Sequence, residues 1–423
     1  MKLTTPGPLP TTTAGNIIPS TLQSPDAIRF WRAVLFTGVG TGIGAAALTR
    51  LLEVVQHIAW SGSATNILEA AQHATPMRHI VVLLAAAVLT GIGQLLLKQL
   101  SSGNGIDTTA AIWFHAGRMP ALRTLASAVL SVIIVGLGVS LGREGAPKQA
   151  GAVFANFFSD KGRLSDEQRR LLVACGAGAG MGAAYGVPLG GALFALEVMR
   201  GKLALRFVLP ALFASMIAAG VSWFALPNAP TYVIPAFVSS ASIILWAVVV
   251  GPIAGLASVG YVRMVTWADR NRPKGWGRIT APIIVIGALG IVSIWFPQIL
   301  GNGKDISQLA FTGQVAPVLL LVLLVLKPAA TILCMRSGAP GGMFTPSLTF
   351  GAMLGGVLGL LWSHFWPGAQ PGIFALLGAG GCAWSYNSGP DIRCGSNDGI
   401  DWKRSFFHLA DATCRGNCDT NSS

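Results

Sequence analysis

Seven stretches of the chain stay apolar over roughly the 20 residues that a helix needs to cross a bilayer. They are 31–60, 79–99, 121–142, 206–226, 239–267, 279–297 and 314–335. So many long apolar runs remove the soluble folds. Strand-type alternation is absent, which removes a membrane barrel as well. Composition agrees: 52% of residues are hydrophobic and 11% charged, where soluble domains carry about 25% charged residues. The sequence is therefore read as an all-α, polytopic membrane protein. Its net charge of +13 fits Lys and Arg held in cytoplasmic loops, and no nucleic-acid partner is expected.

Other apolar segments are short or interrupted by Gly and Pro: 145–159, 171–185, 188–200, 342–362 and 370–381. Broken helices place free backbone groups at mid-membrane, where transporters hold their ions. The stretches 160–170, 269–278 and 301–308 are polar and are expected to face water.

The chain repeats itself. Gly103-Asn104-Gly105-Ile106-Asp107 returns as Gly301-Asn302-Gly303-Lys304-Asp305. Each copy precedes a long apolar helix, and each helix runs into a glycine-rich break closed by proline: GREGAP at 142–147 and GGMFTP at 341–346. An LxxxGAG-like element follows each (Leu172–Gly178 and Phe374–Gly380). We expect a flexible cytoplasmic tail over 1–28, a first membrane repeat over 29–227 and a second, incomplete one over 228–381. Repeats of this kind often run with inverted topology and hold the ion between them.

The breaks suit an anion. The first N–H groups of a helix lack an intrahelical partner, the macrodipole places partial positive charge there, and glycine lets an ion approach the backbone. Several such ends converging on one point would hold a partly dehydrated anion without a full positive charge that would trap it. Glu144 sits at one of these ends, in otherwise apolar sequence. A carboxylate there mimics the anion: it fills the site when ionised and leaves it when protonated. A structural ion pair with Arg143 is the plainer alternative.

These motifs resemble those of the CLC family of chloride channels and proton/chloride exchangers. GREGA at 142–146 is similar to its GREGP motif, Gly342–Pro346 to GxFxP, and Gly103–Asp107 to GSGIP with two changes. GAGAGMGAAYGVPLGGALFALEVMR (176–200) resembles the segment that follows. The resemblance covers roughly residues 30–380. It implies an inverted-repeat fold, a multi-pass protein of the plasma (inner) membrane, and a homodimer in which each protomer holds its own chloride pathway. Neither enzymatic activity, nor organic cofactor, nor metal is implied. Glu144 would be the gating glutamate. Asn104 and the N–H groups of Gly145, Met343 and Phe344 would contact the anion.

Two departures matter. Asn104 stands where the family carries serine, which leaves chloride, nitrate and fluoride open. Glu197-Val198 aligns with the glutamate pair of family exchangers, so the proton-relay position is Val198 and the relay is lost, with Glu197 a structural charge. A channel-type flux is thus expected ahead of coupled exchange, and a transporter of small organic anions is the rival from another class. Lys148, one turn past Glu144, is expected to face water.

From Gly381 the texture turns polar and Cys-rich. Read one nucleotide along, with suitable codons, the stretch from Cys382 becomes the family-like ALGATTQGPISAVV. Trp384 and Trp402, with a unique codon, both force glycines that fit. Residues 382–423 are therefore expected to be out of frame, and the product to risk being non-functional. His408, Cys414 and Cys418 match no standard metal spacing.

Overall fold

The computed structural model describes residues 27–60, 66–100, 108–199, 205–228, 231–237, 240–366 and 370–388. These residues are helical nearly throughout. In chain order the helices are α1 (Ala27–Trp60), α2 (Ile67–Gln72), α3 (Pro76–Leu100), α4 (Thr108–Phe114), α5 (Ala121–Gly136), α6 (Gly145–Lys161), α7 (Asp166–Tyr185) and α8 (Pro188–Phe194). A π turn, Ala195–Met199, continues α8. Then come α9 (Leu205–Ser222), α10 (Ala241–Arg270), α11 (Gly277–Val292), α12 (Lys304–Phe311), α13 (Pro317–Arg336), α14 (Phe344–Phe365) and α15 (Pro371–Ser388).

Five of these helices are long and apolar enough to cross a membrane: α1, α3, α10, α13 and α14. Three expected spans, α5, α9 and α11, form shorter apolar helices. One segment grouped with the short or interrupted ones, 342–362, forms an unbroken helix of 22 residues, α14. Large apolar side chains such as Val248, Leu256 and Val325 point outward, as a helix bundle in hydrocarbon requires.

The two halves share their local construction. Helix α5 ends at Gly136, and Gly138 follows at φ +105°; helix α13 ends at Arg336, and Gly338 follows at φ +94°. A left-handed glycine just past the cap stops a helix and turns the chain. Each stop is followed by a short break and then by a helix whose third residue is proline, Pro147 in α6 and Pro346 in α14. Glycine then lets the next helix lie against it. A Cβ on Gly176 of α7 would strike the Gly151 carbonyl of α6, and one on Gly378 of α15 would strike the Gly351 carbonyl of α14. Such small-residue contacts bring membrane helices to backbone distance.

The expected aqueous loop 160–170 is shorter than its polarity suggested. Helix α7 already begins at Asp166, because Ser165 and Gln168 form a capping box. The stretch 301–308 is not aqueous either. It opens α12, whose Ile306 and Ser307 are buried. Asp305 Oδ2 accepts the Leu68 N–H (3.2 Å), and the Ser307 hydroxyl donates to Thr349 Oγ1 (2.9 Å). The turn before α12 is held by Lys327 of α13. Its buried Nζ donates to the carbonyls of Ile299 (2.8 Å), Leu300 (3.2 Å) and Gly301 (2.8 Å).

Residues 1–26 and 389–423 lie outside the described residues, and with them nearly all of the stretch read as out of frame. Cys382 is buried in α15.

Candidate anion site

The two glycine-rich breaks meet. Gly142 N–H donates to the Gly342 carbonyl and Gly342 N–H to the Gly142 carbonyl, both at 2.7 Å. This reciprocal, antiparallel pair joins the residues just ahead of α6 and α14. Two further contacts brace it: Gly301 N–H donates to the Gly138 carbonyl (2.9 Å), and the Ser140 and Thr331 hydroxyls lie 3.2 Å apart.

Glu144 is wedged into this junction, with only 3% of its surface exposed. It stands at the N-cap position of α6 but makes no cap bond to that helix. Its carboxylate crosses to the other half instead. Oε1 accepts the backbone N–H of Thr345 (3.1 Å) and Oε2 the Thr345 hydroxyl (3.0 Å). Tyr185, the last residue of α7, brings its hydroxyl to 3.5 Å from Oε2 and 2.7 Å from Thr345 Oγ1. The Tyr185 carbonyl accepts the Thr231 hydroxyl (2.9 Å), which fixes the end of α7. The glycines make room for the acid: a Cβ on either Gly142 or Gly342 would overlap the Glu144 carboxylate.

A buried carboxylate is costly unless donors surround it. Here the donors are an amide at a helix start and two hydroxyls, with the dipole of α14 adding partial positive charge. The Arg143 guanidinium lies over the Tyr185 ring, 5.6 Å from its centroid, within cation–π range. That arrangement differs from the simple Arg143–Glu144 ion pair considered as an alternative.

Of the residues singled out from sequence, Glu144, Gly145, Met343 and Phe344 come together. Met343 is the buried N-cap of α14 and Phe344 its first residue. A Cβ on Gly145 would come within 3.3 Å of the Gly342 nitrogen. Asn104 lies outside the described residues. Glu197 is exposed on the π turn, and Val198 shares that turn, its side chain outside the description. Lys148, expected to face water, is half-buried.

Sequence reasoning missed Thr345 and Tyr185. A signal for Thr345 existed. Counted from the N-cap Met343, the orphan donors of this helix start are those of the first four positions, and Pro346, the fourth, supplies none. That leaves Met343, Phe344 and Thr345, one more than was named.

The site can therefore hold one negative charge through N–H and O–H donors, with no full cation in direct contact among the described residues. The comparisons with known proteins agree with that chemistry. The family profile described as voltage gated chloride channel matches residues 85–385. The chain is 28% identical over 358 residues to the H+/Cl− exchange transporter ClcA of Yersinia pseudotuberculosis serotype IB, covering 81% of this chain and 74% of that one. Its fold matches the crystal structure of a slow cyanobacterial Cl−/H+ antiporter at a TM-score of 0.71, with 20% identity, over 85% of this chain and 89% of that one. It also matches a CLC-type fluoride/proton antiporter at a TM-score of 0.62, with 22% identity, over 88% and 90%. Fold, membrane helices and family profile lead to one conclusion: the chain belongs to the voltage gated chloride channel family, the CLC proteins, as a multi-pass membrane protein of anion transport.

Proposed function

We propose that the protein passes a small inorganic anion, chloride first, and that Glu144 is its gate. One observation carries this reading. A buried acid lies where the two breaks join and takes the donors that an anion would need. Ionised, the side chain competes with the anion for those donors. Protonated or displaced, it frees them. The anion then contacts the backbone of Gly145, Met343 and Phe344, with Asn104 as the residue that tunes its identity. No cofactor enters this scheme, and the working unit is a homodimer with one pathway per protomer.

Proton-coupled exchange is the second reading. It is favoured by the names of the similar proteins, two of them H+/Cl− exchangers and one a fluoride/proton antiporter. Against it stands Val198, a hydrocarbon side chain at the relay position of similar exchangers.

Reconstituted vesicles test both. Chloride efflux that responds to Glu144→Ala supports the gate, and a pH electrode in the same chamber reads coupling. Steady proton movement against the chloride gradient selects exchange; its absence selects the channel. Uptake of small organic anions would overturn the choice of ion. Silence would favour the rival in which residues from 382 onward are out of frame. Competition among chloride, nitrate and fluoride assigns the preferred anion.

A further inference from the structure

We propose that Tyr185 and Thr345 form a hydroxyl pair with two successive occupants. It grips the Glu144 carboxylate, and when that side chain leaves it becomes part of the ligand set of the permeating anion. This rests on the reading of Glu144 as gate and adds the residues that set its grip and the affinity of the vacated site.

The argument begins with proton counting. Thr345 Oγ1 carries one proton and lies 3.0 Å from Glu144 Oε2, to which it donates. Its lone pairs then face Tyr185 Oη at 2.7 Å, so the phenol donates to Thr345. The longer Tyr185–Oε2 approach, 3.5 Å, is the alternative use of the same phenolic proton. Chains of donors of this kind polarise one another and strengthen each link. With the Thr345 N–H at 3.1 Å, every polar contact made to the carboxylate by these two residues is a donor.

Removal of Glu144 leaves that set without its acceptor. Thr345 is buried, with 1% of its surface exposed, so its N–H and O–H have little access to water. Unsatisfied buried donors are costly. A hydroxyl is a rotor and can follow a new acceptor, whereas the N–H is fixed by the helix. The occupant that satisfies the two Thr345 donors, can draw the Tyr185 phenol to itself as a third and supplies none is a compact anion without protons of its own: a halide or nitrate. A cation or a neutral hydroxyl compound lacks the matching charge. The glycines at 142 and 342, which admit the carboxylate, also keep this volume free of side chains.

The test uses the full chain, with Glu144→Ala as background so that the gate no longer competes. Chloride binding is measured by calorimetry on the detergent-solubilised protein for E144A, E144A/T345V, E144A/T345S and E144A/Y185F. Loss of a hydrogen bond to a charged group weakens binding roughly tenfold. We expect about that loss for T345V and for Y185F, and near-background affinity for T345S, which keeps the hydroxyl. Thermal melting checks folding, and T345S and Y185F are mild enough to keep the test decisive if T345V misfolds. Equal affinity in all four variants overturns the proposal. Failure of E144A to bind chloride overturns it too, since the vacated pair is then no anion site. The gate reading fails separately, if E144A carries chloride at the rate of the native protein.

Discussion

Glu144 Oε1 accepts the N–H of Thr345 at 3.1 Å, across 201 positions of sequence. The acid at the head of α6 thus caps the helix of the other half. A residue at the N-cap of its own helix serves its counterpart, because the paired glycines at 142 and 342 bring the two helix starts face to face. Four predictions follow from this junction and from the packing that holds it.

Neutralising Glu144 should open the protein. Glu144→Gln removes the negative charge that the helix start and hydroxyls hold, so the side chain competes less for those donors. Chloride efflux from vesicles is expected to rise several-fold. An unchanged rate in that variant would remove Glu144 from gating.

Gly142→Ala should act through Glu144. The added methyl overlaps the carboxylate and forces it out of the junction. Efflux is then expected to rise. In a double-mutant comparison, G142A/E144A should match E144A alone, since the methyl has nothing left to displace. Additive effects would mean that the glycine acts on something else.

Lys327→Met should lower stability without touching the junction directly. The thioether side chain keeps the apolar stem but leaves the carbonyls of Ile299, Leu300 and Gly301 without their shared donor. A loss of about 2–3 kcal/mol is expected, read as a lowered midpoint of thermal unfolding in detergent. An unchanged midpoint would show that water or a neighbouring donor takes over.

Gly176→Val and Gly378→Val should be severe and alike. Each side chain would press on the backbone of the facing helix, at Gly151 and Gly351. Overpacking costs about 1–3 kcal/mol where side chains can yield; here the obstacle is main chain, so the upper end is expected in both halves. Thermal melting of the two variants checks the size and the match.

Much of this arrangement was legible from residue order. The apolar runs located the helices, and the GREGA and GGMFTP breaks located the junction, because glycine and proline act locally. What depends on partners distant in sequence was not legible. Lys304 and Asp305 look like water-facing charges, but Asp305 has the Leu68 N–H as partner and α12 is packed beneath Thr349. The alternative of an Arg143–Glu144 pair was natural from adjacency, yet the guanidinium lies over Tyr185. Thr345 is marked locally as an orphan donor of its helix start, but nothing local makes it or Tyr185 a partner of Glu144. Only the meeting of α6 and α7 with the start of α14 makes them so.

The reciprocal bonds between Gly142 and Gly342 limit how such a machine can work. Prising the halves apart at that seam would strip two amides and two carbonyls of their partners at once. Swinging one acidic side chain about its own bonds leaves the seam whole. With Glu144 as the proposed gate, the economical cycle is a turnstile with a fixed frame, and its speed would be set by how often a single arm lets go.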